Sequence, residues 1–194
     1  PFINEKLSFA EKIFGLPPYL ENQRMEKDGK FLFPVDACMG VKNLPQSGTG
    51  QTSIFCGVNA PQINGQHFGP YPPSALMHIL ENQNIFKEFL NLNLKTDFVN
   101  AYPKIFFDYI NSGRKRLSAT SLCCLLSGVR LNSSTDLRRG KALSAEINNS
   151  RWVNKLNYIL NVIKPETAVR RLVKIAQQNH FTLFEYFLTD HIGH

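Results

Sequence analysis

The sequence predicts an α/β fold, a largely parallel sheet sandwiched by helices, carried by a single domain over residues 1–194. Three observations predict it. Apolar, strand-like runs alternate with helical periods of about 12 residues, which places helices on both faces of a parallel sheet. The 194 residues are 43% hydrophobic and 19% charged, which suits one globular domain with a substantial core and excludes a disordered chain. No internal repeat, low-complexity tract or long linker interrupts the pattern.

In chain order, KFLFPVDACMGV (residues 30–41) is the first apolar run, a strand or buried extended segment ending around Asp36. LPQSGTGQTSIFCGVNAP (44–61) reads as a turn followed by a helix that begins with QTSIFCGV. In SALMHILENQNIFKEFLNLN (74–93), Leu76, Ile79, Leu80, Phe86, Phe89 and Leu90 recur at helical spacing behind Ser74 as the cap, so one amphipathic helix is expected. KTDFVNAYP (95–103) has a β-branched and aromatic centre bounded by Pro103, a short buried strand, and a helix follows from Pro103 to Ile110.

SATSLCCLLSGV (118–129) continues as an apolar helix with Ser118 as cap and Gly128 near its end. The stretch from 131 to 150 is polar and irregular. Two helices are expected after it, RWVNKLNYILNVI (151–163) and PETAVRRLVKIAQQN (165–179), the second with Pro165 in its first turn and Glu166 opposing the dipole. FTLFEYFLTD (181–190) reads as the last strand.

Composition narrows the partners. A formal charge of +7 favours polyanions, although the basic residues are dispersed among RKR, RR and VRRLVK instead of gathered on one helix, which disfavours a nucleic-acid partner. No run reaches the roughly 18 to 20 consecutive apolar residues of a membrane span, FTLFEYFL being broken by Glu185, so no membrane partner is expected. The start, PFINEKLSF, reads as neither a signal peptide nor a natural beginning. Four cysteines without Cys-x-x-Cys spacing, two of them adjacent in an apolar run, read as reduced core thiols and a cytoplasmic location.

Two stretches carry chemistry. In the first, Gly48 and Gly50 free the backbone, and a hydroxyl at Ser47 or Thr49 lies beside helix-terminal N–H groups suited to an anion such as phosphate. The alternative is a capping residue with flexible glycines. In the second, Asp190 is followed four residues later by His194 across Gly193, so a carboxylate and an imidazole can reach one zinc or manganese ion from a turn.

Together the two stretches resemble the metalloenzyme branch of the alkaline phosphatase superfamily, which includes cofactor-independent phosphoglycerate mutase and phosphopentomutase. There the nucleophile lies in Ser-x-x-Gly-His or Thr-x-Thr-Gly-His, with a glycine ten residues on. SGTGQTSIFCG runs from Ser47 to Gly57 at that spacing, with Gly50 in place and Gln51 where the family has His. The family's later motif, a strand followed by Asp-x-x-x-His, is matched by FTLFEYFLTDHIGH.

The resemblance implies an alkaline-phosphatase-like three-layer αβα core, present as a fragment, since the family's upstream Asp-Gly and downstream Asp-His are not found. It implies Ser47 as nucleophile and metal ligand, Thr49 as second choice, and Asp190 and His194 as ligands. Two divalent ions, manganese or zinc, are the implied cofactors, and a small phosphorylated molecule the substrate. Gly50, Gln51 and Arg116 of the basic run 114–116 are the expected substrate contacts, while His191 falls on a non-ligand position and Asp36 is expected to be structural. The implied chemistry is phosphoester hydrolysis or phosphoryl transfer through a phosphoserine. Too few residues separate Ser47 from Asp190 for a large cap domain, which argues against a phosphoglycerate-type mutase. With half the ligand set, the 194 residues alone are expected to bind metal weakly and turn over little. Two other classes stay open: a non-catalytic scaffold of the same fold, and a basic nucleic-acid-binding module.

Overall fold

Phe98 and Val99, adjacent and both fully buried, face opposite sides of an extended segment and so organise two layers of packing. The computed structural model describes residues 8–15, 24–114 and 116–193. In it, β3 (Thr96–Phe98) pairs in parallel with β6 (Phe181–Leu183), Thr96 opposite Phe181 and Phe98 opposite Leu183. β4 (Ala101–Tyr102) pairs in parallel with β5 (Asn132–Ser133), and a parallel bridge joins Asn100 to Leu143. The single strand expected over 95–103 is split into β3 and β4, each in its own two-stranded pair, and both pairings are parallel. An antiparallel hairpin, β1 (Met25–Lys27) with β2 (Lys30–Leu32), lies towards the start, after helix α1 (Ser8–Phe14).

Helices cover both sides of the central segment. Phe98 packs with Phe55, Leu80, Phe86, Leu122 and Cys123, which come from α2 (Ser47–Cys56), α4 (Met77–Asn82), α5 (Ile85–Asn91) and α7 (Ala119–Leu126). Val99 packs instead with Leu143 and with Ala168 and Ile175 of α10 (Pro165–Ala176). The short helices α3 (Ala60–Asn64), α8 (Ser134–Arg138) and α9 (Ser150–Asn154), together with α6 (Lys104–Asn111) and α11 (Leu188–Gly193), complete a mixed α/β architecture. Among the described residues, no helix is long and apolar enough to cross a membrane. All four cysteines carry free thiols, with Cys123 and Cys124 buried.

Several elements differ from the sequence expectations, each for a local reason. The helix expected over 74–93 is a 3-10 turn (Ser74–Leu76), α4 and α5 in succession, behind Pro73 as the cap residue. Buried Asn84 causes the break: its Nδ2 donates to the Leu80 carbonyl (2.8 Å) while its Oδ1 accepts from the Lys87 N–H (3.1 Å), closing one helix and capping the next. The run at 30–41 is not buried, since Phe31, in the hairpin turned by Asp28 and Gly29, and Phe33, just beyond it, are each about half exposed.

The stretch expected to be irregular is ordered by β5 and α8, where Ser133 and Asp136 form a capping box and Arg130 pairs with Asp136 at 2.9 Å. The helix expected over 151–163 stops at Asn154: Asn157 takes a positive φ, the Tyr158 N–H donates to the Trp152 carbonyl, and Ile159 is left 92% exposed. The last strand ends at Leu183, not at Asp190, because the Asn100 amide takes over the pairing. Its Oδ1 accepts from the Glu185 N–H (2.9 Å) and its Nδ2 donates to the Glu185 carbonyl (2.7 Å).

Candidate functional site

α2 begins at Ser47, four residues earlier than its apolar content suggests, and its first turn is wedged against the backbone of residues 68–71. A Cβ on Gly48 would lie 2.1 Å from the Tyr71 carbonyl oxygen and 2.7 Å from that of Phe68, so only glycine fits. Thr49, one residue on, faces the same way and is fully buried. Its N–H donates to the Phe68 carbonyl (2.9 Å), and its hydroxyl accepts from the Phe68 N–H (3.2 Å) and lies 3.3 Å from the Gln46 carbonyl it donates to. The Thr49 hydroxyl is thus spent on anchoring the helix.

Ser47 lies on the opposite side. It is exposed, and among the described residues its hydroxyl has no hydrogen-bond partner. Gly50 has open space where a Cβ would be. Ser47, Gly50 and Gln51 line a cavity of about 1010 Å³ that also borders Val35, Asp36 and Ile54. Asp36 closes its own turn there, Oδ1 accepting from the Cys38 N–H (2.9 Å) and Oδ2 from the Gly40 N–H (3.3 Å), a structural use of the carboxylate.

Ser47 and Gln51 are four apart on one helix face, about 6 Å along its axis. Gln51 Nε2 in turn donates to Glu185 Oε1 at 3.4 Å. Glu185 stands two residues beyond β6, and Asn100, which grips its backbone, stands two beyond β3, so this contact is on the carboxyl edge of the parallel strands. The Thr120 hydroxyl, in the first turn of α7, also donates to Glu185 Oε1 (2.5 Å). Behind Thr120, Ser118 caps α7 and the Tyr102 hydroxyl meets Ser121 at 2.9 Å, fastening that turn to β4. Burial pushes the Tyr102 phenol well above its ordinary value.

Burial also raises the Glu185 carboxyl above the usual range, the Thr120 bond only partly offsetting it. Among the described residues, neither Glu185 Oε2 nor Gln51 Oε1, both buried, has a hydrogen-bond partner. Two orphaned oxygens flanking one contact leave acceptor capacity for a donor or a cation.

Asp190 is exposed in the first turn of α11, five residues past Glu185. It belongs to a helix and not to the end of a strand, because the chain leaves the sheet at Leu183 and is held at Phe187, whose N–H donates to the Ala145 carbonyl. His194 lies outside the described residues, as does Lys115, and of His191 only the helical backbone is described. Arg116 is exposed in the connection from α6 to α7, its carbonyl accepting from the Tyr109 hydroxyl (3.4 Å). Arg114 stacks its guanidinium 5.4 Å from the Tyr109 ring centroid. The helix carrying Ser47 and the segment leading to Asp190 therefore meet through Gln51 and Glu185. Glu185, Thr120 and Asn100, which hold that junction, have no motif in the sequence; the one signal was a single acid inside an apolar run. No protein-family model matches this chain, and no curated protein or solved structure matches it either.

Proposed function

We propose that the chain is the core of a metal-dependent phosphoester hydrolase or phosphotransferase with Ser47 as nucleophile, on an alkaline-phosphatase-like three-layer αβα core. The observation that carries this reading is the Gln51–Glu185 contact, which joins the hydroxyl-bearing helix to the segment that leads to Asp190. A helix start at the carboxyl edge of parallel strands presents its positive end to phosphate, the Thr49 and Gly50 N–H groups here being taken by the Phe68 and Gln46 carbonyls. The open flank of Gly50 lets a phosphoryl group approach the backbone.

The donor types suit divalent cations. A serine hydroxyl, the Asp190 carboxylate and the His194 imidazole are the hard oxygen and borderline nitrogen ligands taken by manganese and zinc. The partnerless oxygens of Glu185 and Gln51 favour a polar occupant nearby. No group of three or more His, Cys, Asp and Glu fit to hold an ion occurs among the described residues, which exclude His194. Two divalent ions, when bound, would supply charge neutralisation at the phosphoryl oxygens and a lowered pKa at the serine hydroxyl.

Ser47 Oγ then forms a bond to phosphorus in line with the leaving oxygen, whose own bond to phosphorus breaks. The serine proton passes to solvent and the leaving oxygen takes one up. Water, or an acceptor hydroxyl, attacks the phosphoserine and frees Ser47. With Thr49 turned inward, Ser47 is the hydroxyl of the motif left to do this. Hydrolysis of an aryl phosphate in added manganese or zinc by the protein containing this chain should fall roughly 10³-fold or more in Ser47→Ala. Undiminished turnover in a folded Ser47→Ala variant contradicts the proposal. A second reading, a phosphoester-binding scaffold without turnover, is favoured by Gln51 standing in the family's His position; metal-dependent phosphate binding with no phosphoserine formed would select it.

A further inference from the structure

The amino-terminal edge of the same strands carries a different cavity. Its volume is about 910 Å³, within the range of about 300–1,000 Å³ typical of small-molecule sites. Thr96 and Asp97 of β3, Asn132 of β5, and Gln178 and Asn179 ahead of β6 line it. Six cationic side chains border it: Arg130, Arg138, Arg139, Lys141, Arg171 and Lys174, against the single carboxylate Asp97. Arg130 is held by Asp136 through two 2.9 Å hydrogen bonds. The other five form no ion pair with a carboxylate among the described residues.

Helix ends account for part of this charge. Arg138 and Lys174 lie in the last turns of α8 and α10, where a cation offsets the negative end of the dipole. Arg139 is itself the C-cap of α8 and shares that role, whereas Lys141 and Arg171 lie outside both last turns. Arg171 is half-buried and lies over Gly140, where a Cβ would come within 3.1 Å of its Nε. Gly140 itself has a φ of +68°, so that position is suited to glycine twice over, by conformation and by the guanidinium above it. Thr96, which lines the cavity, has a buried hydroxyl with no hydrogen-bond partner among the described residues.

We infer that this cavity binds the polyphosphate chain of a small ligand. Several like charges without counter-ions repel one another, and a ligand with three or more negative charges relieves all of them at once. Guanidinium groups match phosphate oxygens in a two-pronged geometry, and Thr96, Asn132 and Asn179 offer neutral hydrogen-bonding atoms beside them. Nucleic acid is the poorer fit. Among the described residues no aromatic side chain borders the cavity on which a base could stack, the apolar contacts being Leu90, Val129 and Ile175. The site is separate from Ser47, so it stands whether or not the hydroxyl acts as a nucleophile.

Calorimetric titration in chelator at about 150 mM salt, where loose surface attraction is screened, tests this with two probes, inorganic tripolyphosphate and adenosine triphosphate. The expected result is one saturable site per chain, weakened about tenfold or more in Arg171→Glu/Lys174→Glu, the loss of charge-assisted hydrogen bonds. Binding should be unchanged in Lys30→Glu/Lys155→Glu, which alters the net charge equally but away from the cavity. If the double variant does not fold, Arg139→Gln, an exposed position, should still weaken both probes about threefold. Tighter binding of the nucleotide identifies a nucleoside polyphosphate as the source, and equal binding identifies the free chain; both uphold the site. Equal losses in the two charge-reversal variants, no saturable binding of either probe, or equally tight binding of a hexaglutamate peptide or single-stranded RNA would overturn it.

Discussion

Glu185 has one oxygen held by Thr120 and Gln51 and the other, among the described residues, without a partner. Because burial raises its pKa in the folded chain above the ordinary 4.5, the folded state binds this proton more tightly than the unfolded state does. The ionised form therefore costs stability at neutral and alkaline pH, and the cost disappears as pH falls through the folded pKa towards the unfolded one. Glu185→Gln keeps the shape and removes the charge. It is expected to melt a few degrees above the parent at pH 8, the scale of a change of about 1 kcal/mol in a chain of this size, with the advantage gone near pH 4.5. Thermal melts in chelator across that range check it, and an advantage independent of pH would contradict the assignment. This residue was not legible in the sequence. A lone acid in FTLFEYFL reads as a break in an apolar run, and its partners come from positions 51, 100 and 120.

At the scale of elements, α2 depends on a close backbone approach. Gly48→Ala puts a methyl group 2.1 Å from the Tyr71 carbonyl oxygen, and backbone on both sides must move. A loss of about 2–4 kcal/mol is expected, in line with overpacking of a rigid contact. Gly50→Ala, with open space at its Cβ, should cost nothing and gain a few tenths of a kcal/mol in helix propensity. Chemical denaturation of the pair measures both, and equal stabilities would show that the helix does not rest on residues 68–71. Helices with their own signals were legible: α10 has Pro165 and Glu166 at its start, and α7 has the Ser118 cap. Elements set by distant contacts were not. Asn84 ends α4 through its own side chain, Asn100 ends β6 from a neighbouring strand, and residues 155–164 leave the helix to lie against 148 and 149, where Ile163 and Asn161 find partners.

For the whole molecule, the +7 charge is not spread evenly. Cations from positions 130, 138, 139, 141, 171 and 174 meet at the amino-terminal edge of the strands, a grouping that dispersal along the chain had argued against. The carboxyl edge instead carries the Gln51–Glu185 contact, one turn along the helix from Ser47 and five residues ahead of Asp190. One fold thus presents two polar faces, one rich in unpaired cations and one in oxygen donors. That division makes the central claim open to a direct measurement, because a paramagnetic cation is drawn to the second face and repelled by the first. Manganese titrated into the isotope-labelled protein should broaden the backbone amide resonances of residues 46–51 and 186–190 together, at the same ion concentration, and Asp190→Asn should abolish both effects. Broadening confined to one of these segments would contradict a shared cation pocket, and so would broadening that survives in Asp190→Asn.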